Sequence, residues 1–153
     1  MKYINNSLFI EKIKVEKIAK KFGTPTYCYS YNQIKENVSN FRNKFKSFSP
    51  LICFAIKSNT NVRIVKEIGK FGLGADVVSM GELMMALKAG IKPKKIVFSG
   101  VGKTAAEIAF AIDKNILLIN AESKSEIIEI ERVAKKKARS VDIGIRLNPN
   151  TDA

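Results

Sequence analysis

The sequence predicts an α/β fold of consecutive β-α units laid on a parallel sheet, and three observations carry that expectation. Five short runs rich in Val, Ile and Phe recur at Leu51–Ile56, Leu73–Val78, Lys95–Ser99, Ile116–Asn120 and Val141–Leu147. Their starts lie 22, 22, 21 and 25 residues apart, which is room for one strand, one helix and two short loops. Segments with helical patterning separate them, so parallel strands joined by right-handed crossovers are the simplest solution. About five parallel strands are therefore expected.

The elements follow in order. A leader precedes the first unit: a helix-like stretch at Lys12–Lys21, a Gly23-Thr24-Pro25 turn, a short strand at Thr26–Tyr29 and a helix at Asn32–Phe45. Residues 1–30 are expected to form a leader unit and residues 31–153 the repeating part. The helices between strands are expected at Asn61–Gly69, Gly81–Ala89, Thr104–Asp113 and Lys124–Lys137, the last with Ile127, Ile128, Ile130 and Val133 as candidates for one apolar face. Gly69, Gly90 and the pair Gly72 and Gly74 end helices or open turns. Leucine-rich solenoids share the period but need Leu and Asn at offsets that do not occur here. Periodicity leaves a doubly wound sheet open, although an uninterrupted β-α order reads most simply as successive barrel units.

At 153 residues the chain amounts to one domain, whereas a closed eight-stranded barrel takes about 250, so only part of such a barrel is expected. Hydrophobic residues at 46% and charged residues at 27% exclude wholesale disorder. The longest apolar runs are strand-sized and far short of the ~20 residues that cross a bilayer. The amino terminus lacks a signal-like apolar stretch and cleavage site, which points to the cytoplasm. Cys28 and Cys53, in apolar surroundings, suit buried thiols in a reducing compartment. There is no His, so His-based zinc sites and Ser-His or Cys-His catalysis are excluded within this sequence. Chemistry must come from Lys, Asp, Glu, Arg, Tyr or Cys. The net charge is 27 − 14 = +13, with a dense run at Lys135–Lys137. Few aromatics interleave and no reading motif accompanies it, which favours a solvated basic surface over nucleic-acid binding.

In parallel α/β barrels the carboxyl ends of the strands hold the site. Here those ends carry Lys57-Ser58-Asn59, Asp76 with Ser79, Ser99-Gly100, Asn120 with Glu122, and Arg146 with Asn148. Strand ends enter polar loops in any case, so this convergence alone does not define a site. Lys57 follows the apolar run Cys53–Ile56, which is expected to put its ammonium beside a low-dielectric wall and prepare the amine for Schiff-base chemistry. A lysine at a strand terminus can equally snorkel to water.

The segment Phe54-Ala55-Ile56-Lys57-Ser58-Asn59 is similar to the pyridoxal phosphate attachment site of the decarboxylase group that includes diaminopimelate, ornithine and arginine decarboxylases. FGTPTYCYS precedes it, and GLGADVVSMGEL, KIVFSGVGKT, INAES and IRLNPNTDA follow in the group's order, covering nearly all of residues 20–153. GADVVSMGEL, INAES and RLNPN resemble the diaminopimelate branch most. The resemblance implies an alanine-racemase-like (β/α)8 barrel carrying pyridoxal phosphate, with Lys57 as the attachment lysine. Asp76, Glu82 and Arg146 fall on positions of the polar shell around cofactor and lysine. At Asp76 and Arg146 a barrel-rim ion pair is the structural alternative, and Glu82 could equally compensate a helix dipole.

The resemblance further implies an amino-acid substrate, meso-diaminopimelate, a homodimer, and a carboxy-terminal β domain beyond this sequence. The sequence is accordingly expected to be a truncated amino-terminal portion, inactive alone, which a complementing carboxy-terminal chain would complete. A catalytically silent chain, a racemase-like or carrier protein of the same barrel type, and a basic nucleic-acid-binding protein are the alternatives. Met80 stands where the group commonly has a small residue. Ser99-Gly100-Val101-Gly102-Lys103 lacks the spacing of a phosphate loop and reads as a loop and helix start. Tyr27, Cys28 and Tyr29 read as strand packing.

Overall fold

Residues 2–14 form a small antiparallel meander where the sequence suggested only a leader. In the computed structural model, which describes residues 1–149, β1 (Lys2–Ile4), β2 (Ser7–Ile10) and β3 (Ile13–Lys14) pair in that order. Ile4 pairs with Ser7, so Asn5 and Asn6 make a two-residue hairpin loop with φ of 45° and 57°. Asparagine tolerates this left-handed backbone, and the Asn-Asn pair was the available sequence signal. Helix α1 (Val15–Phe22) begins later than the predicted Lys12, because those residues are taken up by β3, and it stops at Gly23. Helix α2 (Tyr31–Lys44) starts at Ser30, whose Oγ accepts the Gln33 N–H. Glu11 fastens this start to the meander: its Oε1 accepts from Ser30 Oγ at 2.7 Å and from the Asn32 N–H at 2.9 Å.

The predicted strand at Thr26–Tyr29 does not form. Among the described residues no ladder pairs with it, and Tyr27, Cys28 and Tyr29 are exposed rather than packed. Cys28 is therefore an exposed thiol, against the expectation of burial. Local β-propensity is weak without a partner strand, which is the physical reason for the miss.

Residues 1–49 and the residues from Pro50 onward form two compact units. The second unit runs β4 (Cys53–Ala55), a 3-10 turn (Ile56–Ser58), α3 (Val62–Lys70), β5 (Gly74–Val77), α4 (Met80–Lys88), β6 (Ile96–Phe98), α5 (Ala105–Asp113), β7 (Leu118–Ala121), α6 (Lys124–Lys136) and β8 (Ile143–Ile145). The five strands are parallel and lie in chain order, β4-β5-β6-β7-β8. A doubly wound sheet reverses its order at a switch point, and this sheet does not. Consecutive barrel units are the arrangement observed.

One face of the sheet is packed under the helices. Ala75, Val77, Ile96, Phe98 and Ile119 are 0% exposed, and with Leu83, Ile108, Ile112 and Ile130 they form the core. The alternate residues, Cys53, Ala55, Asp76, Val97, Ser99, Leu118, Asn120 and Gly144, are only half-buried. Parallel strands were expected to be covered on both faces. The less covered face is the more polar one, and it leads to the strand ends that the sequence singled out.

The three helices α4, α5 and α6 begin alike. Ser79, Thr104 and Ser123 each accept, through the side-chain oxygen, the N–H of a glutamate three residues on: Glu82, Glu107 and Glu126. Glu107 completes a capping box by accepting from the Thr104 N–H at 2.9 Å, and its other oxygen accepts the Met80 N–H of α4 at 3.1 Å. These donors, the Thr104 N–H foremost, hold the Glu107 carboxyl below its usual range against a smaller opposing effect of burial. A carboxyl whose pKa is lower folded than unfolded contributes stability above its unfolded value of about 4.3 and loses it as pH falls through the folded one. Glu107→Gln should therefore lower the urea midpoint at pH 7 and have a smaller effect near pH 3, as measured by denaturation at the two pH values. An equal loss at both would contradict this assignment.

Candidate functional site

The strand ends assemble a polar rim. After β4 the chain turns sharply, so that Ile56 is wholly buried while Lys57, in the same 3-10 turn, is exposed. The apolar run thus stops one residue short of the lysine, and the expected burial of its ammonium is not observed. Ser58 Oγ donates to the Ala55 carbonyl at 2.7 Å and closes the turn. Asn59 Oδ1 accepts the Asn61 N–H, and Asn61 in turn caps α3.

Asp76 sits in β5 opposite Ala55 of β4. Its Oδ1 accepts from Ser99 Oγ at 2.6 Å, and Ser99 Oγ accepts from Asn120 Nδ2 at 3.0 Å, so three adjacent strands are joined by one chain of side-chain hydrogen bonds. Cys53 lies near the same carboxylate. Burial raises its thiol pKa, and the Asp76 charge adds to that, so the thiol stays protonated and unreactive at neutral pH. Gly144 of β8 pairs with Asn120, and a Cβ there would meet Asn120 Oδ1, so a larger residue would displace the Asn120 side chain.

Arg146, just past β8, donates its backbone N–H to the Ala121 carbonyl and brings its guanidinium to Glu122 Oε1 at 3.4 Å. The same oxygen of Glu122 accepts the Gly100 N–H at 3.1 Å. Gly100 has φ of 93° and lies close to Val78, so the β6–α5 loop needs glycine there for both conformation and space. Glu82, third residue of α4, accepts the Val78 N–H at 2.9 Å. Among the described residues no hydrogen bond or ion pair joins Lys57 to Asp76, Glu82 or Arg146. Asp76 and Arg146 are bound into the β5–β8 rim, Glu82 into the start of its helix.

Sequence reasoning placed Ser99, Asn120 and Glu122 at strand ends without giving them partners, and it missed Lys103. Lys103 Nζ donates to the carbonyls of Gly100 and Asn120, each at 2.7 Å, and to Glu126 Oε1 at 3.2 Å. Glu126 also accepts the Glu122 N–H at 2.7 Å. The two side chains are 1% and 8% exposed. Burial of a lysine has no local sequence signature; the only hint was Lys103 following a Gly-x-Gly loop, with Ser123-x-x-Glu126 beginning the next helix.

An exposed amine beside a rim of carboxylate, hydroxyl, amide and guanidinium groups fits a phosphorylated carbonyl cofactor held through a lysine. The fold thus defines an α/β protein built of consecutive barrel-type units, with its polar side chains gathered at the carboxyl ends of the strands. Residues 31–153 match the family model described as the pyridoxal-binding domain of pyridoxal-dependent decarboxylases, and the chain belongs to that family. It is 45% identical over 152 residues to a diaminopimelate decarboxylase of Aquifex aeolicus, covering 99% of this chain and 36% of that protein. Among solved structures it is similar to a diaminopimelate decarboxylase of Helicobacter pylori complexed with L-lysine, with 45% identity, TM-score 0.87, and 90% of this chain on 35% of that one. A second is the diaminopimelate decarboxylase of M. jannaschii in co-complex with L-lysine, with 38% identity, TM-score 0.93, and 97% on 36%. The chain spans about a third of the length of the relatives it matches. Pyridoxal phosphate is the cofactor of this family.

The Lys103–Glu126 pair gives a direct test of the rim. Removing one partner strands a buried charge, so Lys103→Met should cost about 3–5 kcal/mol in urea unfolding, while adding Glu126→Gln, which removes the stranded charge but keeps an acceptor for the Glu122 N–H, should recover part of that loss. Equal stability of Lys103→Met and the parent would contradict the buried pair.

Proposed function

We propose that this chain supplies the attachment lysine and the amino-terminal rim of a pyridoxal phosphate-dependent decarboxylase that converts meso-diaminopimelate to L-lysine and CO2. The observation that carries the reading is Lys57, exposed where β4 ends, within a segment series shared along the chain with diaminopimelate decarboxylases. The two L-lysine complexes among the similar structures support this choice of product. Pyridoxal phosphate, when bound, supplies the electron sink that makes loss of the carboxylate accessible.

Among the described residues the Lys57 side chain makes no hydrogen bond or ion pair, so it is available to a carbonyl cofactor without first breaking one. Asp76, fixed by Ser99, sets a negative charge on the strand next to the lysine. Arg146, paired with Glu122, sets a positive charge at the other end of the rim, where an anionic group is best received. Glu82 belongs to the same shell through the β5–α4 turn, which its carboxylate holds. Residues 31–153 act as the amino-terminal part of the barrel, behind a leader at 1–30. A carboxy-terminal β domain, a complementing chain or the rest of a longer one, and a homodimer complete the reading. Cytoplasmic location fits a helix set in which none of the described helices is long and apolar enough to cross a membrane.

Residues 1–153 alone, incubated with pyridoxal phosphate and carboxyl-labelled meso-diaminopimelate, should release little or no labelled CO2, whereas the chain completed by the carboxy-terminal portion should release it with an equal amount of lysine, and Lys57→Ala in the completed protein should reduce release to background. Release from ornithine or arginine but not from meso-diaminopimelate would assign another branch of the family. Selective uptake of the cofactor by the completed protein with no release from any of the three would favour a carrier.

A further inference from the structure

We propose that Ser99 is a positioning residue for Asp76, with Asn120 as the group that fixes the direction of its hydrogen bond. The inference rests on the cofactor site described above but concerns the chain's own side chains. A serine hydroxyl has one proton and can also accept. Asn120 Nδ2 donates to Ser99 Oγ at 3.0 Å, which occupies the accepting side of the hydroxyl. The proton is then committed to Asp76 Oδ1 at 2.6 Å, in the distance range of a charge-assisted bond. Asn120 is itself held in place. Its backbone carbonyl accepts from the buried Lys103 ammonium at 2.7 Å, and Gly144 leaves its side-chain oxygen the room it takes.

The consequence is one orientation of the Asp76 carboxylate, set by β6 and β7 rather than by β5 itself. Asp76 is half-buried on the more polar sheet face, in register with Ala55, two residues before Lys57. A carboxylate free to rotate there would have to be ordered when the cofactor arrives. A rotamer held by Ser99 and Asn120 needs no such reorganisation.

Two measurements test this. In cofactor-free protein, the side-chain couplings of Asp76 by NMR should report a single rotamer in the parent and in Ser99→Thr, and averaging in Ser99→Ala and Asn120→Asp, the latter because its carboxylate draws the Ser99 proton away. A single rotamer in Ser99→Ala would overturn the proposal whether or not pyridoxal phosphate binds. In the second measurement, cofactor fixed on Lys57 by borohydride is followed against cofactor concentration. Ser99→Ala should weaken uptake about tenfold, as expected for one lost charge-assisted bond, Ser99→Thr should restore it, and Ser99→Ala should add less than about twofold in an Asp76→Asn background. An equal penalty in both backgrounds would show that Ser99 does not act through Asp76 and would overturn the proposal. Failure of the parent to take up cofactor would instead sink the functional reading and leave the NMR result to decide this one.

Discussion

The first four parallel strands of this fold each hand the chain to a helix whose first N–H groups need partners, and the site depends on how those starts are closed. In three successive units a hydroxyl residue and a glutamate three positions later do so: Ser79 with Glu82, Thr104 with Glu107, Ser123 with Glu126. The glutamates then reach beyond their own caps. Glu107 accepts from Met80 of the neighbouring unit, while Glu126 takes the Glu122 N–H and pairs with Lys103. Adjacent loops are thereby fixed to one another, and the side chains those loops carry inherit a defined position.

Charge is sorted along the same axis. Acidic residues occupy the first turns of α4, α5 and α6, whereas lysines stand in the last turns of α3, α4 and α6. Both placements oppose the helix dipoles favourably. At that second end basic side chains also cap carbonyls: Lys94 donates to Ile116, and Lys95 to Gly72. Part of the excess of +13 thus has structural work at the end of the sheet remote from Lys57, which accords with a basic surface that carries no nucleic-acid reading motif.

The five strands, their parallel direction and the helices between them were legible because hydrophobic period and glycine punctuation are local signals. The candidate rim was legible for a different reason: strand polarity alone says which end of each run faces the loops, so Lys57, Asp76 and Arg146 could be placed before any contact was known. What could not be read was pairing. Ser99 holding Asp76, and Glu122 holding both Gly100 and Arg146, are contacts between residues more than 20 positions apart. The amino-terminal meander escaped because its strands are only two to four residues long, although Asn5-Asn6 marked its turn. The strand assigned to Thr26–Tyr29 failed because propensity says nothing about whether a partner is present. The closing Asn150–Ala153 of the last matched segment lies outside the described residues.

The central claim is that the turn after β4 presents one particular amine to the cofactor. The most direct measurement is reduction of the protein with borohydride in the presence of pyridoxal phosphate, followed by peptide mapping by mass spectrometry. The account predicts a single labelled lysine, Lys57, even though lysine dominates the basic residues of this chain. Label distributed over many lysines, or confined to another, would contradict it.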